Sequence, residues 1–297
     1  MDKQPLVGAK EGAQIVACVV GASGFLGREV ISAIMRRGEA STRLSLRPDS
    51  VDEATISSIA AYLKHTNVNL VVNCAAARLH GTYDAPLIAL RQANILLPQI
   101  LALACARSRV PLLHIGSRWQ LGEHGEGPNG PYAQSKERGE REARWICQTN
   151  EIPFSSILIR DTYGPFDPRR TLINELLQTA KGQNELLLTD GQQLIDPLHV
   201  RRVSDAVVSC GQAMVSGSPG GRYELGSPQP PTVRELVSQF EKSWGTTLSK
   251  RWGAVPPRGT ELFDMVQVLP WAPGWSPAVV RKDFPTFVKA VRADWAL

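Results

Sequence analysis

The chain reads as an α/β protein, a doubly wound parallel sheet followed by a smaller C-terminal α+β region. Three observations predict this. Short apolar runs alternate with helix-period stretches as far as Arg160, which is the pattern of parallel strands joined by helical crossovers. A glycine-rich turn lies between the first apolar run and the first helix. The character of the sequence then changes after Tyr163-Gly164-Pro165. Composition agrees, since 43% hydrophobic residues over 297 positions can bury a large core while 21% charged residues cover the outside. The formal net charge is +5, but Lys and Arg are scattered rather than gathered into a run. No nucleic-acid footprint is expected, and an anionic small substrate accounts for the excess equally well.

Each element follows from a local signal. Residues 1–13 are polar and glycine-containing and are expected to form a flexible N-terminal tail. The run Ile15 to Val20 reads as a strand, too short to cross a bilayer or to serve as a signal-peptide core, so no membrane segment and a cytoplasmic location are expected. Helical periodicity over 25–37 leads to a strand near 42–46 and a helix over 53–65. Between Ser50 and Asn67 there is room for one helix where many such sheets fit a further strand, so a third strand is expected to be missing or very short. Strands near 69–74, 111–116 and 154–160 alternate with helices over 85–108 and 132–149.

Beyond Pro165 a helix near 170–181, a strand over Leu186 to Leu188 and a helix near 203–215 precede a tail rich in Pro and Trp. Trp244, Trp252, Trp271, Trp275 and Trp295 suit the core of a small subdomain better than a stacking platform. The predicted organisation is residues 14–165 as a dinucleotide-binding domain and 166–297 as a substrate-binding region, with roughly 190–215 returning to the first domain. Five cysteines, Cys18, Cys74, Cys105, Cys147 and Cys210, are widely spaced with no Cys-x-x-Cys pair and are read as reduced thiols.

The turn Gly21-Ala22-Ser23-Gly24-Phe25-Leu26-Gly27 follows an apolar strand and opens a helix. Such a turn brings backbone amides and the positive helix end against a pyrophosphate, the Rossmann-type arrangement, and this context favours a cofactor site over a purely structural turn. Gly21, Ser23, Gly24, Phe25, Leu26 and Gly27 are therefore cofactor-binding candidates. About twenty residues on, an NAD site places an acid at the end of the second strand, whereas an NADP site offers Arg. Here the strand ends Leu44-Ser45-Leu46-Arg47, and the nearest acid, Asp49, lies beyond Pro48 in a turn. Arg47 can pair with a 2′-phosphate, so NADP(H) is preferred and NAD(H) stays possible, the alternative being a solvent-facing arginine.

Ser117 ends the Leu112 to Ile115 strand, and Tyr132 and Lys136 stand four apart on one face of the next helix. A phenol with a pKa of about 10 is a poor proton donor at neutral pH unless a cation lowers it. Lys136 supplies that cation and can also hold the cofactor ribose, and Ser117 can hold a carbonyl oxygen. Asn94, a poor helix former in the middle of a helix, either anchors a proton-relaying water toward Lys136 or serves as a helix kink or core amide. His65, His80, His114, His124 and His199 show no metal-ligand spacing, so no metal site is expected. Ser117 lacks the Gly-x-Ser-x-Gly setting of a serine hydrolase.

Taken together these motifs resemble the extended short-chain dehydrogenase/reductase superfamily, in its NAD-dependent epimerase/dehydratase group. Asn73-Cys74-Ala75-Ala76 resembles the segment lining the nicotinamide side, which implies cofactor contacts from Cys74, Ala75 and Ala76. Glu224-Leu225-Gly226-Ser227 and Gly274-Trp275-Ser276-Pro277 resemble two later family turns. Leu194 to Val200 resembles an Arg-Asp-Phe-x-His-Val-Asp-Asp stretch, except that Arg201 and Arg202 stand where two acids are usual. Asp161 to Pro165 with Asp167-Pro168-Arg169, and Ser117-Arg118-Trp119-Gln120, resemble nucleotide-sugar 4-ketoreductases of the CDP-abequose and CDP-paratose synthase kind.

That resemblance implies a nucleotide-diphosphate-sugar substrate, reduction of the 4-keto group of a deoxyhexulose, and substrate contacts from Trp119, Thr162 and Arg169. Arg258, in a segment resembling the family's Arg-x-Gly-Asp, is the main phosphate candidate, and Arg78 is placed to face the sugar. Sugar 4,6-dehydratases carry Thr-Asp-Glu where Arg118 and Trp119 stand here, so dehydration is disfavoured. The short Gly-rich interval Gly122 to Gly127 encloses a site less and leans toward a cofactor-exchanging reductase. An NAD-dependent epimerase and a non-catalytic dinucleotide-sensing subunit are the alternatives. The family also implies a homodimer joined through the helices near 85–108 and 132–149.

Overall fold

The computed structural model describes residues 14–78, 87–182 and 184–295. The expected tail over 1–13 and the start of the helix expected at 85 lie outside the described residues. By internal contacts the chain divides into two units. The first comprises Met1–Ile115, Arg138–Ser156 and Val207–Gly221, and the second Gly116–Glu137, Ile157–Ala206 and Arg222–Leu297. The chain thus passes between units well before residue 165, and two segments return to the first unit, Arg138–Ser156 and Val207–Gly221.

In the first half of the chain the apolar runs become strands and the periodic stretches helices: β1 (Val16–Val20), α1 (Phe25–Arg36), β2 (Ala40–Leu44), α2 (Glu53–His65) and β3 (Leu70–Asn73). A helical stretch follows as α3 (Leu87–Leu90), a π-helical segment Arg91–Leu96 and α4 (Leu97–Ser108), then β4 (Leu112–Ser117), α5 (Gly130–Thr149) and β5 (Phe154–Ile159). With a later strand, β9 (Arg222–Glu224), these form a six-stranded sheet in the order β2-β1-β3-β4-β5-β9. β1 pairs parallel with β2 and β3, and β3 with β4. This is a Rossmann-type sheet in which β2 is the edge, so the stretch from Ser50 to Asn67 contributes α2 and no further strand among the described residues. β2 begins two residues earlier than expected because the Ala40 N–H already donates to the Ile15 carbonyl, at 3.1 Å.

The π-helical segment departs from the continuous helix expected there, and its cause is local. In an α-helix the Asn94 carbonyl would accept from residue 98, which is Pro98 and has no N–H. The Leu97 N–H reaches back to Gln92 instead, a five-residue π span. The Asn94 carbonyl is crossed by α5 at Gly139, where a Cβ atom would stand 1.8 Å from it. Asn94 itself is fully buried. Its Oδ1 accepts from the Ala77 N–H (3.0 Å) and its Nδ2 donates to the Ala77 carbonyl (2.9 Å), clamping the loop that leaves β3.

The core of the first unit joins Val20 and Val71 of the sheet to Ile56 and Leu63 of α2, Leu97, Ile100 and Leu101 of α4, and Ala143 and Cys147 of α5. Leu87–Ser108 is long and apolar enough to cross a membrane by composition alone, yet its α4 portion supplies much of this core.

The second unit holds β6 (Thr162–Tyr163), α6 (Leu172–Ala180), β7 (Leu186–Leu187) and β8 (Leu198–His199), from which α7 (Val200–Val215) starts. α8 (Val233–Trp244), β10 (Lys250–Arg251) and α9 (Val280–Trp295) follow. Parallel two-stranded ladders join β6 to β8 and β7 to β10. The tail rich in Pro and Trp thus carries two helices beyond those expected. α8 opens on a capping box between Thr232 and Glu235 and buries Val233, Leu236, Val237, Phe240 and Trp244, a helical period. α9 adds Phe284, Phe287 and Val288 to that core around Tyr163. The five tryptophans divide: Trp244 is buried, Trp252 packs under Arg234, Trp271 is half-buried in a bridge to Glu224, the Trp275 indole donates to the Gly226 carbonyl, and Trp295 is exposed beneath the Lys181 ammonium.

The Gly139 crossing has no room for a side chain. Gly139→Ala is therefore expected to destabilise the protein by more than about 2 kcal/mol, read as a lower midpoint in urea unfolding at unchanged slope.

Candidate active site

In the first unit the glycine turn is built for close approach. Gly21 has φ +76°, and a Cβ there would lie 2.7 Å from the Ala75 nitrogen. A Cβ on Gly27 would lie 2.2 Å from the Gly21 carbonyl oxygen, so the turn and the first turn of α1 are packed backbone on backbone. Gly24 is the N-cap of α1; no side chain caps this end and no acid occupies its first turn. Backbone N–H groups at a positive helix end, with Ser23 and Gly24 exposed, form a cradle that fits the pyrophosphate of a dinucleotide. Ala75 is held against Gly21 by Asn73, whose Oδ1 accepts from the Ala75 N–H (3.1 Å) and whose amide meets His114 Nδ1 (3.1 Å). Cys74 continues from β3 with its N–H on the Val20 carbonyl (2.9 Å), and Ala76 is exposed.

Three residues past β2, Arg47 is exposed and makes no hydrogen bond or ion pair among the described residues. The acid beside it is engaged elsewhere: Asp49 Oδ1 accepts from Gln92 Nε2, and the Asp49 carbonyl accepts from Arg91 Nη1 at 3.2 Å.

The second unit contains Ser117, Tyr132 and Lys136. Ser117, at the end of β4, forms a capping box with Gln120 across the 3-10 turn Arg118–Gln120, its N–H donating to Gln120 Oε1 at 2.7 Å. Gln120 is buried and donates from Nε2 to Glu137 Oε2 (3.0 Å), and Glu137 is ion-paired with Arg222. The residue after Lys136 is thereby tied to the end of β4. Sequence reasoning missed Gln120, which lay in the right run but carried no charge to mark it. α5 starts at Gly130 and Pro131, which sets Tyr132 half-buried in its first turn. Lys136, one turn on, is only 1% exposed.

Arg118 is also 1% exposed. Its Nε lies 3.2 Å from Glu224, which is fully buried. The same guanidinium donates to the carbonyls of Gly122, Glu123 (3.1 Å) and Val266 (2.8 Å). Burial pushes the Arg118 pKa down, and Glu224 opposes that. A second buried arginine, Arg160, pairs with Asp196 at 2.8 Å and lies 3.8 Å from Glu224. Burial raises the Asp196 pKa, with Arg160 pulling it back. These partners are far apart in sequence, so only the departure from the dehydratase acids was legible at Arg118, not the ion pair.

The expected substrate residues are placed differently from one another. Arg169 donates to Asp167 (2.6 and 2.7 Å) and to the hydroxyl and carbonyl of Thr162 (3.0 and 2.7 Å). Its guanidinium braces the Thr162 segment, and Thr162 is itself buried, so both act within the turn rather than as open contacts. Arg258 is exposed and lines a cavity of about 670 Å³ with Glu123, Asn129, Glu261 and Phe263. Glu261 there has its pKa raised by burial, and its Oε2 is buried without a hydrogen-bond partner. The Gly-rich loop forms part of that wall: Glu126 accepts from the N–H groups of Glu123 and His124, both at 2.7 Å, which pulls its pKa down to about 2. Trp119 is half-buried, its carbonyl accepting from the Asn129 N–H (3.1 Å), and Arg78 is exposed.

The model of the NAD dependent epimerase/dehydratase family matches residues 17–226. The chain belongs to that family. Its members are extended short-chain dehydrogenases/reductases, a family of enzymes, in agreement with the resemblance carried by the motifs. The chain is 29% identical over 219 residues to dTDP-4-dehydrorhamnose reductase of Streptomyces griseus, covering 69% of this chain and 68% of that one. Among solved structures it is similar to MoeE5 in complex with UDP-glucose and NAD, at 20% identity and a TM-score of 0.75, covering 94% of this chain and 99% of that one. It is also similar to UDP-glucose-4-epimerase from Stenotrophomonas maltophila with bound NAD, at 17% identity and a TM-score of 0.76, covering 95% and 100%. At those identities the two structures share the fold.

Replacing Arg118 would leave Glu224 short of its nearer cation in a dry site. Arg118→Met is expected to cost about 3–5 kcal/mol, seen in chemical unfolding, whereas exposed Arg170→Met should change stability by less than about 0.5 kcal/mol.

Proposed function

We propose that the protein is an NADP(H)-dependent reductase of a keto group on a nucleotide-diphosphate-linked sugar, with the 4-keto group of a deoxyhexulose as the target. The observation that carries this reading is the set Ser117, Tyr132 and buried Lys136 beside an Arg118 that is locked in an ion pair. Dehydration of a sugar needs an acid and a base near the tyrosine. The position where dehydratases hold an acid offers only a guanidinium already committed to Glu224 and three carbonyls. The 29% identity to a dTDP-4-dehydrorhamnose reductase supports reduction of this kind.

In this reading Tyr132 donates its phenolic proton to the carbonyl oxygen as negative charge develops there. Lys136 stabilises the phenolate left behind, and the Ser117 hydroxyl hydrogen-bonds the same oxygen from a position fixed by Gln120. NADPH, when bound in the glycine cradle, supplies the hydride. Arg47 pairs with its 2′-phosphate, and Arg258 grips the substrate diphosphate, a bidentate task suited to arginine. The glycine cradle, Cys74, Ala75 and Ala76 face the cofactor.

The protein is further proposed to act as a homodimer through α3 to α5, where Leu87, Ile88 and Trp145 stand exposed. Trp145→Asp is expected to yield monomers by light scattering.

Tyr132→Phe should lower kcat for NADPH-dependent reduction of a 4-keto nucleotide sugar by at least about 100-fold while leaving NADPH affinity within about twofold. Near-normal turnover in that variant would mean that Tyr132 is not the proton donor. NAD carried through purification, with interconversion of sugar epimers and no net reduction, would make the protein an epimerase.

A further inference from the structure

We infer that Gln92 is a specificity-determining residue for the cofactor: by holding the Asp49 carboxylate on the π-helical segment, it leaves the end of β2 to Arg47. The inference deepens the NADP(H) reading and rests on it.

Two opposite charges stand within three residues at the mouth of the dinucleotide cradle, Arg47 and Asp49, on either side of Pro48. They ask for opposite ligands there. A carboxylate accepts hydrogen bonds from the two ribose hydroxyls of NAD, while an arginine pairs with the 2′-phosphate of NADP and a carboxylate beside it repels that phosphate. Which one faces the ribose therefore decides the cofactor.

In the structure the competition is settled by a third residue. Gln92 Nε2 donates to Asp49 Oδ1, and Arg91 Nη1 donates to the Asp49 backbone carbonyl at 3.2 Å. Both donors come from the first turn of the π-helical segment, Arg91–Leu96. The turn carrying Asp49 is thus fastened at its backbone and at its carboxylate. Pro48 between the two charges is buried, so the turn pivots little around it. Arg47 is left exposed and without a partner among the described residues. A glutamine amide is suited to this work, because it holds a carboxylate without adding a positive charge that would itself bind phosphate.

The test is the ratio of NADH to NADPH dissociation constants, measured by fluorescence titration without any sugar. Four proteins are compared: the wild type, Gln92→Leu, Asp49→Ala and the double variant. Gln92→Leu frees the carboxylate and should lower the preference for NADPH by about tenfold, the size of one charge-assisted hydrogen bond made or lost. Asp49→Ala alone should keep the wild-type preference within about twofold, because the acid is already turned away. The double variant should regain the wild-type preference, since no acid remains to be released.

A Gln92→Leu protein with unchanged preference overturns the inference, and so does a double variant that keeps the loss. Gln92→Glu guards against misfolding of the leucine variant: it has the same size, repels Asp49, and should shift the ratio in the same direction. Arg47→Ala separates this idea from its foundation. If the wild type does not prefer NADPH, or Arg47→Ala leaves that preference intact, the NADP(H) reading falls and takes this inference with it. If Arg47→Ala abolishes the preference and Gln92→Leu does not move it, only the role of Gln92 is lost.

Discussion

The ion pair between Arg118 and Glu224 is the constraint on which the second unit turns. Both groups are out of water, and an isolated charge in such a place is not sustainable. Each therefore has to gather polar partners, and what they gather is loop backbone. Arg118 takes the carbonyls of Gly122, Glu123 and Val266. Glu224 takes the N–H groups of Val268 and Leu269 (2.9 and 3.3 Å). Two irregular segments with little apolar packing of their own are ordered because a buried charge needs their peptide groups. Glu123 adds to this by accepting from the N–H groups of Phe263 and Asp264 (2.6 and 3.2 Å). The cavity wall that holds Arg258 is built from these same segments.

Much of the dinucleotide-binding half was legible because its signals are local. Strand runs, the glycine turn and the Tyr-x-x-x-Lys spacing each state their structure within a few residues. The single helix between Ser50 and Asn67 pointed to a missing or very short strand, but the sheet order with β2 at the edge was not legible and comes from the pairing itself. The pieces that escaped depend on distant partners. Arg118 and Glu224 are far apart in sequence, and so are Gln120 and Arg222, which meet at Glu137. Arg169 looked like a phosphate ligand because a sequence does not say where a guanidinium spends its donors, and here Asp167 and Thr162 take them. The two late helices are a different case. The Thr232–Glu235 capping box and the Leu236, Phe240 and Trp244 period were present in the sequence, and Pro and Trp content obscured them.

The residues proposed for catalysis illustrate how positional accuracy is obtained from weak parts. Ser117 sits on a strand end, which is rigid, but its hydroxyl geometry depends on the 3-10 turn that follows. Gln120 fastens that turn to α5 through Glu137, so the strand end and the helix carrying Tyr132 and Lys136 are referenced to each other by side-chain amides and carboxylates as well as by apolar packing. Hydrogen bonds have stricter geometry than dispersion contacts, which suits a group that must meet one oxygen atom.

Pro98 has one more consequence. By withholding an N–H it breaks the α-helical pattern at Asn94, and the bulge that results aims the Asn94 side chain at Ala77, in the loop that leaves β3. That loop is therefore not independent of the helices above it. Its peptide at Ala77 can open to solvent only if the buried Asn94 amide gives up two bonds at once, which ties the loop's opening free energy to that of the helix crossing at Gly139. A proline in a helix, usually counted as a defect, here couples the loop that leaves β3 to the core beneath it.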